Sequence, residues 1–246
     1  MNVIEYGKEN KEVIMLLHGG GLSHWNFRKE AELLKEKFHV VLPILDGHSN
    51  CDFDFTSIED NAQRIIDYID VKFGGSILLL GGLSLGAQIA VEILSKRNNI
   101  AQHAIIESVS LISSKLTHVL LKPSISMSYG LIKKKWFSKW QFKSLHINKE
   151  YFDDYYADSC GITKANMIAF LKANTKYEPK EELKNCQIKT RIIVGGKETR
   201  KMKKSAKLLY SILQNSSLEM KPKYHHGDYS LNHADEYVSD LLNFLL

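Results

Sequence analysis

The segment Ile77-Leu78-Leu79-Leu80 runs into Gly81-Gly82-Leu83-Ser84-Leu85-Gly86-Ala87. This is a short apolar strand that turns through a Gly-x-Ser-x-Gly sequence directly into a helix, and it constrains the fold more than any other stretch. Glycines at 82 and 86 remove the Cβ atoms that would collide where strand and helix meet tightly, so Ser84 can hold a strained backbone with its hydroxyl pointing out of the turn. The next amide, on Leu85, is then free to bind an oxyanion. The pentapeptide alone is common; its context gives it weight. Downstream, Ile89, Ile93 and Leu94 share one helical face, and Lys96 and Arg97 stand near its end.

The rest of the chain continues the alternation. Glu12–Leu17 reads as a buried strand followed by His18-Gly19-Gly20-Gly21, then a helix near residues 24–36. Phe38–Leu42 is a strand closed by Pro43, leading to the loop Asp46-Gly47-His48-Ser49. Thr56 and Glu59 form an expected capping box for a helix that buries Ile58, Ile65, Ile66 and Ile69 and stops at Gly74-Gly75. Further strands are expected at His103–Glu107, Thr190–Val194 and Leu218–Lys221, with a final helix from about Asp235. The pattern predicts an α/β fold, a mostly parallel sheet with helices on both faces.

Residues 113–186 break this rhythm, being helical and aromatic-rich without a convincing buried strand. They read as a helical lid inserted into a core made of 1–112 and 187–246. Within the insertion, Ile132, Trp136 and Trp140 recur every four residues while Lys133, Lys134, Lys135 and Lys139 mostly face elsewhere, which predicts one amphipathic helix. Tryptophans beside lysines would suit a lipid surface. A lid needs the same stripe, with its apolar face on the pocket, so no stable membrane association is expected.

Composition sets the outer limits. A chain of 246 residues with 44% hydrophobic and 25% charged residues has the balance of a globular protein. No stretch reads as a bilayer span, and Met1–Tyr6 lacks the basic region and long apolar run of a secretory signal, so a cytoplasmic location is expected. Cys51, Cys160 and Cys186 are odd in number and widely spaced, which suits a reducing compartment and offers no metal spacing. The net charge of +5 gathers at Lys133–Lys143 and Arg200–Lys204. The second cluster belongs to a helix expected to turn Met202, Ala206, Leu208 and Leu209 inward, where lysines solvate the outer face, so no nucleic-acid partner is expected.

A serine hydroxyl needs a base to take its proton, and the base needs an acid to fix its tautomer. Of ten histidines, His226 is the preferred base: Tyr224-His225-His226-Gly227 follows a strand, and Gly227 permits a sharp turn that could aim the imidazole at Ser84. His225 is the alternative. For the acid, Ile192-Ile193-Val194-Gly195-Gly196-Lys197-Glu198 delivers a carboxylate just beyond a strand, and Glu107 at the end of the preceding strand is its rival. Amides at Gly20 and Leu85 would form the oxyanion hole. Asp46 and His48 read as loop-stabilising hydrogen bonders. His225, His226, Asp228 and His233 match no zinc motif, so no metal and no cofactor are expected.

With His18-Gly19-Gly20-Gly21, Asp46-Gly47-His48-Ser49, Gly82-Leu83-Ser84-Leu85-Gly86, Gly195-Gly196-Lys197-Glu198 and His226-Gly227 in this order, nearly the whole chain resembles the α/β-hydrolase superfamily. The resemblance implies Ser84 as nucleophile, Glu198 as orienting acid, His226 as general base and a lid at the usual insertion point. The implied activity is that of a carboxylesterase or lipase-like enzyme cleaving an ester or related acyl bond of a small molecule. Carbon–carbon bond hydrolases, lyases, cofactor-free haloperoxidases and catalytically silent ligand receptors share the same elbow. Three positions depart from the usual pattern: Glu198 stands where Asp is commoner, Ser49 replaces a frequent glycine, and His233 occupies a place where many members have proline.

Overall fold

The computed structural model describes residues 1–246, the side chain of Leu116 excepted. The chain lays down strands at Val3–Tyr6 (β1), Val13–Leu17 (β2), His39–Pro43 (β3), Ile77–Leu83 (β4), Ala101–Glu107 (β5), Lys189–Gly195 (β6) and Ser216–Lys221 (β7). They form one sheet in the order β1-β3-β2-β4-β5-β6-β7, parallel throughout except for β1, which pairs antiparallel with β3 at the edge. The first strand has no counterpart in the sequence pattern, because its four residues are half-buried or exposed and form no continuous apolar run, although Gly7 closes it.

Alternation along the central strands divides the core into two layers. Met15, Leu17 and Leu80 face a layer built with Ile58–Phe73 (α2), Leu85–Lys96 (α3) and Arg200–Ile212 (α8). Ile14, Leu16 and Leu79 face the other, built with Arg28–Leu34 (α1) and Ala234–Leu245 (α10). Both faces are therefore covered, as near-continuous apolar strands require. Asp228–Asn232 (α9) is a short additional turn of helix ahead of α10.

Between β5 and β6 lie Lys115–Ile132 (α4), Lys135–Ser144 (α5), Phe152–Gly161 (α6) and Lys164–Lys176 (α7), with α4 packed on α7. Three details differ from the sequence reading. The single stripe through Ile132, Trp136 and Trp140 is broken at Lys133–Lys134: Ile132 closes α4 and is buried, whereas both tryptophans sit on α5 and are 67% exposed. The N-cap of α2 is Ser57, whose extended backbone lets its hydroxyl accept from the Asp60 amide at 3.0 Å, one residue beyond the Thr56 and Glu59 pairing. In α8, Ala206 and Leu209 are buried while Leu208 turns out to solvent. Among the described residues no helix is long and apolar enough to cross a membrane.

Candidate active site

The carboxyl ends of the parallel strands deliver the chemistry to one edge of the sheet: the Gly19–Gly21 loop after β2, Ser84 after β4, Ser108 after β5, Glu198 after β6 and His226 after β7. Ser84 has φ +54° and ψ −106°, a conformation a non-glycine residue holds only when its surroundings impose it. The neighbouring glycines make this possible. A Cβ on Gly82 would lie 2.5 Å from the Gly86 carbonyl group, and one on Gly86 would run into the Leu17 and His18 carbonyls. The strained turn is held by backbone bonds from Ser84 N–H to the Glu107 carbonyl (3.0 Å) and from Gln88 N–H to the Ser84 carbonyl (3.0 Å).

The structure brings Ser84, His226 and Glu198 together. Ser84 Oγ lies 3.0 Å from His226 Nε2, and His226 Nδ1 lies 2.8 Å from Glu198 Oε2. The Glu198 side chain is 1% exposed, against 48% for the imidazole. Its burial raises the carboxyl pKa, but the hydrogen bond and charge of His226, the Gly195 amide and the Ser108 hydroxyl outweigh that and hold it below the ordinary value. An ionised Glu198 accepts from Nδ1–H, which leaves Nε2 as the acceptor for the serine proton.

The two alternatives lie elsewhere. His225 stacks on His146 at 3.9 Å between ring centroids and makes no bond to Ser84. Glu107 is buried behind the site, where Oε1 accepts a long bond from the Ser230 amide (3.4 Å) and Oε2 has no partner among the described residues; burial pushes its pKa up to about 7. His233 stacks on Tyr224, and among the described residues no three His, Cys, Asp or Glu are grouped as a metal site.

Facing the serine, the amides of Gly20 and Leu85 have no acceptor among the described residues, and Gly20 lines the same cavity as Ser84. Two buried imidazoles pin this loop. The Gly21 amide donates to His48 Nε2 at 3.0 Å and the Leu45 amide donates to His18 Nε2 at 3.1 Å. Each imidazole must be neutral to accept these bonds, and burial lowers both pKa values, that of His48 to about 4. The expected loop-stabilising role of His48 thus reaches the Gly19–Gly21 loop. Asp46, by contrast, pairs with Arg64 at 2.9 Å on the far side. Gly21 itself has φ +79°, which explains its residue type.

Ser108 is the residue that sequence reasoning missed. Its hydroxyl donates to Glu198 Oε1 and accepts from the Gly227 amide. Above the serine lies a cavity of about 290 Å³, mostly apolar, walled by Ile125 and Ile132 of α4, Phe137 of α5, Tyr155 of α6, and Met167 and Phe170 of α7. Phe170 stacks on His48 at 4.6 Å, joining this wall to the glycine loop.

A family model described as the alpha/beta hydrolase family matches residues 14–180. No curated protein matches the chain in sequence. Many solved structures share the fold. An esterase from Exiguobacterium antarcticum superposes with a TM-score of 0.83 at 15% identity, over 99% of this chain and 94% of that one. The enol-lactonase from Burkholderia xenovorans LB400 gives 0.82 at 13%, over 99% and 95%. MenH from S. aureus gives 0.77 at 20%, over 99% and 97%.

Proposed function

Because the chain belongs to the alpha/beta hydrolase family, we propose that it is a serine hydrolase that cleaves an ester or related acyl bond of a small molecule. The observation that carries this reading is the unbroken chain of hydrogen bonds from Ser84 Oγ through His226 to buried Glu198. Ester chemistry is also what two of the structural relatives, an esterase and an enol-lactonase, are named for.

In the proposed mechanism His226 Nε2 takes the Ser84 proton as Oγ attacks the acyl carbon, and Glu198 stabilises the resulting imidazolium. The tetrahedral oxyanion is received by the Gly20 and Leu85 amides. His226 then gives the proton to the leaving alcohol, and a water attacks the acyl-enzyme by the same path in reverse. The apolar walls suit a hydrophobic acyl or aryl group, and α4 to α7 act as a lid over it, carried by a core of 1–112 and 187–246.

The test is fluorophosphonate labelling together with hydrolysis of aryl esters graded by acyl length. Labelling should occur at Ser84, and Ser84→Ala should abolish it while lowering turnover by roughly a million-fold. Full esterase activity in Ser84→Ala would overturn the reading, and an unlabelled wild-type protein would favour a silent receptor.

A further inference from the structure

The outer side of the helices over the cavity has no part in that mechanism. Residues 108–149 hold none of the chain's 28 Asp and Glu but eight of its 33 Lys and Arg, so the remainder of the chain is net acidic although the whole carries +5. All eight are exposed lysines, at 115, 122, 133, 134, 135, 139, 143 and 149.

Exposed apolar side chains stand among them. On α5, Trp136, Lys139, Trp140 and Lys143 fall at spacings of three and four, so they share one helix face. The opposite face turns Phe137 and Gln141 to the cavity and buries Phe142. On α4, Leu120, Met127 and Leu131 form a second outward row, 53%, 86% and 41% exposed. Indoles exposed this far beside lysines are poorly matched to water, but they fit the boundary between lipid headgroups and acyl chains, with ammonium groups reaching the phosphates.

We propose that the outer surface of α4 and α5 docks on an anionic lipid bilayer, with Trp136 and Trp140 at the headgroup boundary and the surrounding lysines on lipid phosphates. The charge complementarity is strongly one-sided: no carboxylate interrupts the segment, and of its lysines Lys135 is, among the described residues, the one paired with an acid, Asp153 of α6 at 3.6 Å. A nucleic acid would match the lysines but leave Leu120, Met127 and Leu131 unpartnered. The bound protein would lie on the surface, as no described helix spans a membrane. Trp136 and Trp140 flank Phe137, at 5.7 Å and 5.8 Å between centroids, so the docked face adjoins the cavity wall. Resting on the hydrolase reading, the substrate is an acyl ester drawn from the bilayer.

The experiment uses the full chain with phosphatidylcholine vesicles, with and without about 30% phosphatidylglycerol, in sedimentation at about 50 mM and 0.5 M salt. Trp25 is 1% exposed, so a blue shift of tryptophan emission reads Trp136 and Trp140. Binding to anionic vesicles should be at least about tenfold tighter than to neutral ones and weaken in high salt. Trp136→Ala with Trp140→Ala, and separately Lys139→Glu with Lys143→Glu, should each weaken it by about tenfold. Both pairs should keep the wild-type circular dichroism and hydrolysis of a short soluble ester. Ser84→Ala should bind as the wild type does, so loss of hydrolysis and loss of docking are read separately. No preference for anionic vesicles at low salt, binding indifferent to both pairs, or displacement of vesicles by single-stranded RNA would overturn the proposal.

Discussion

The hydroxyl of Ser108 donates to Oε1 of Glu198 at 2.8 Å, and Ser108 Oγ in turn accepts the Gly227 amide at 3.3 Å. One side chain at the end of β5 thus braces both the acid after β6 and the loop that carries His226. Ser108→Ala should lower kcat/KM by about tenfold, within the range of one hydrogen bond to a charged group. Because that bond favours the ionised carboxylate, its loss should raise the Glu198 pKa, which an NMR titration of the carboxyl group would read. A Glu198 titration that stays in place would show that the hydroxyl does not tune the acid.

Glu198→Gln keeps the shape of the acid but offers His226 no carboxylate to fix its tautomer. We expect kcat to fall by about 10⁴-fold. Steady-state kinetics on an aryl ester would check this. Glu198→Asp, one methylene shorter, should fall between the wild type and the Gln variant.

His48 holds the Gly21 amide only while neutral. Its pKa is depressed from 6.5 to about 4 by burial, so its contribution is fully present above pH 6.5 and is lost as pH falls toward 4. The displacement corresponds to about 3 kcal/mol at most. His48→Phe should flatten the stability curve over that window in urea titrations, and should lower turnover by about tenfold by freeing the glycine loop that carries Gly20.

Glu107 has the opposite sign. Its pKa is raised from 4.5 to about 7 by burial, so the native state holds a proton that the unfolded chain has released, and stability declines as pH rises across that interval. Glu107→Gln removes the titration. At pH 8 the variant should be more stable than the wild type by about 1–3 kcal/mol, with the difference shrinking toward pH 4. An advantage that stays constant with pH would argue against a protonated Glu107.

Gly86→Ala places a methyl group against the Leu17 and His18 carbonyls, rigid backbone that cannot move aside. A cost of at least about 3 kcal/mol is expected, which in a chain of this size lowers Tm by about 6–12 °C in calorimetry.

How much of this was legible depends on whether the signal is local. Ser84 and Glu198 each stand just beyond an apolar strand and two residues from a glycine, and His226 stands beside Gly227 in the loop after the half-buried β7, so their places beyond strand ends could be read along the chain. Ser108 could not: a serine after a strand is unremarkable until the pairing of β5 with β6 sets it beside Glu198. Trp136 and Trp140 show the limit of periodicity, since a spacing of four says that two side chains share a face but not which way it points. The break at Lys133–Lys134, which separates them from Ile132, has no proline or glycine to announce it. Val3–Tyr6 was missed because an edge strand needs only one partner, and its half-buried residues lack a continuous apolar run.

The bend at Ser84 is imposed by Gly82, Gly86 and the carbonyls they face, and the serine oxygen contributes nothing to it. Position 84 is therefore a socket. A thiol or carboxylate placed there would be offered to the same cavity and the same imidazole, and the chain could exchange the atom it presents without having to relearn how to fold.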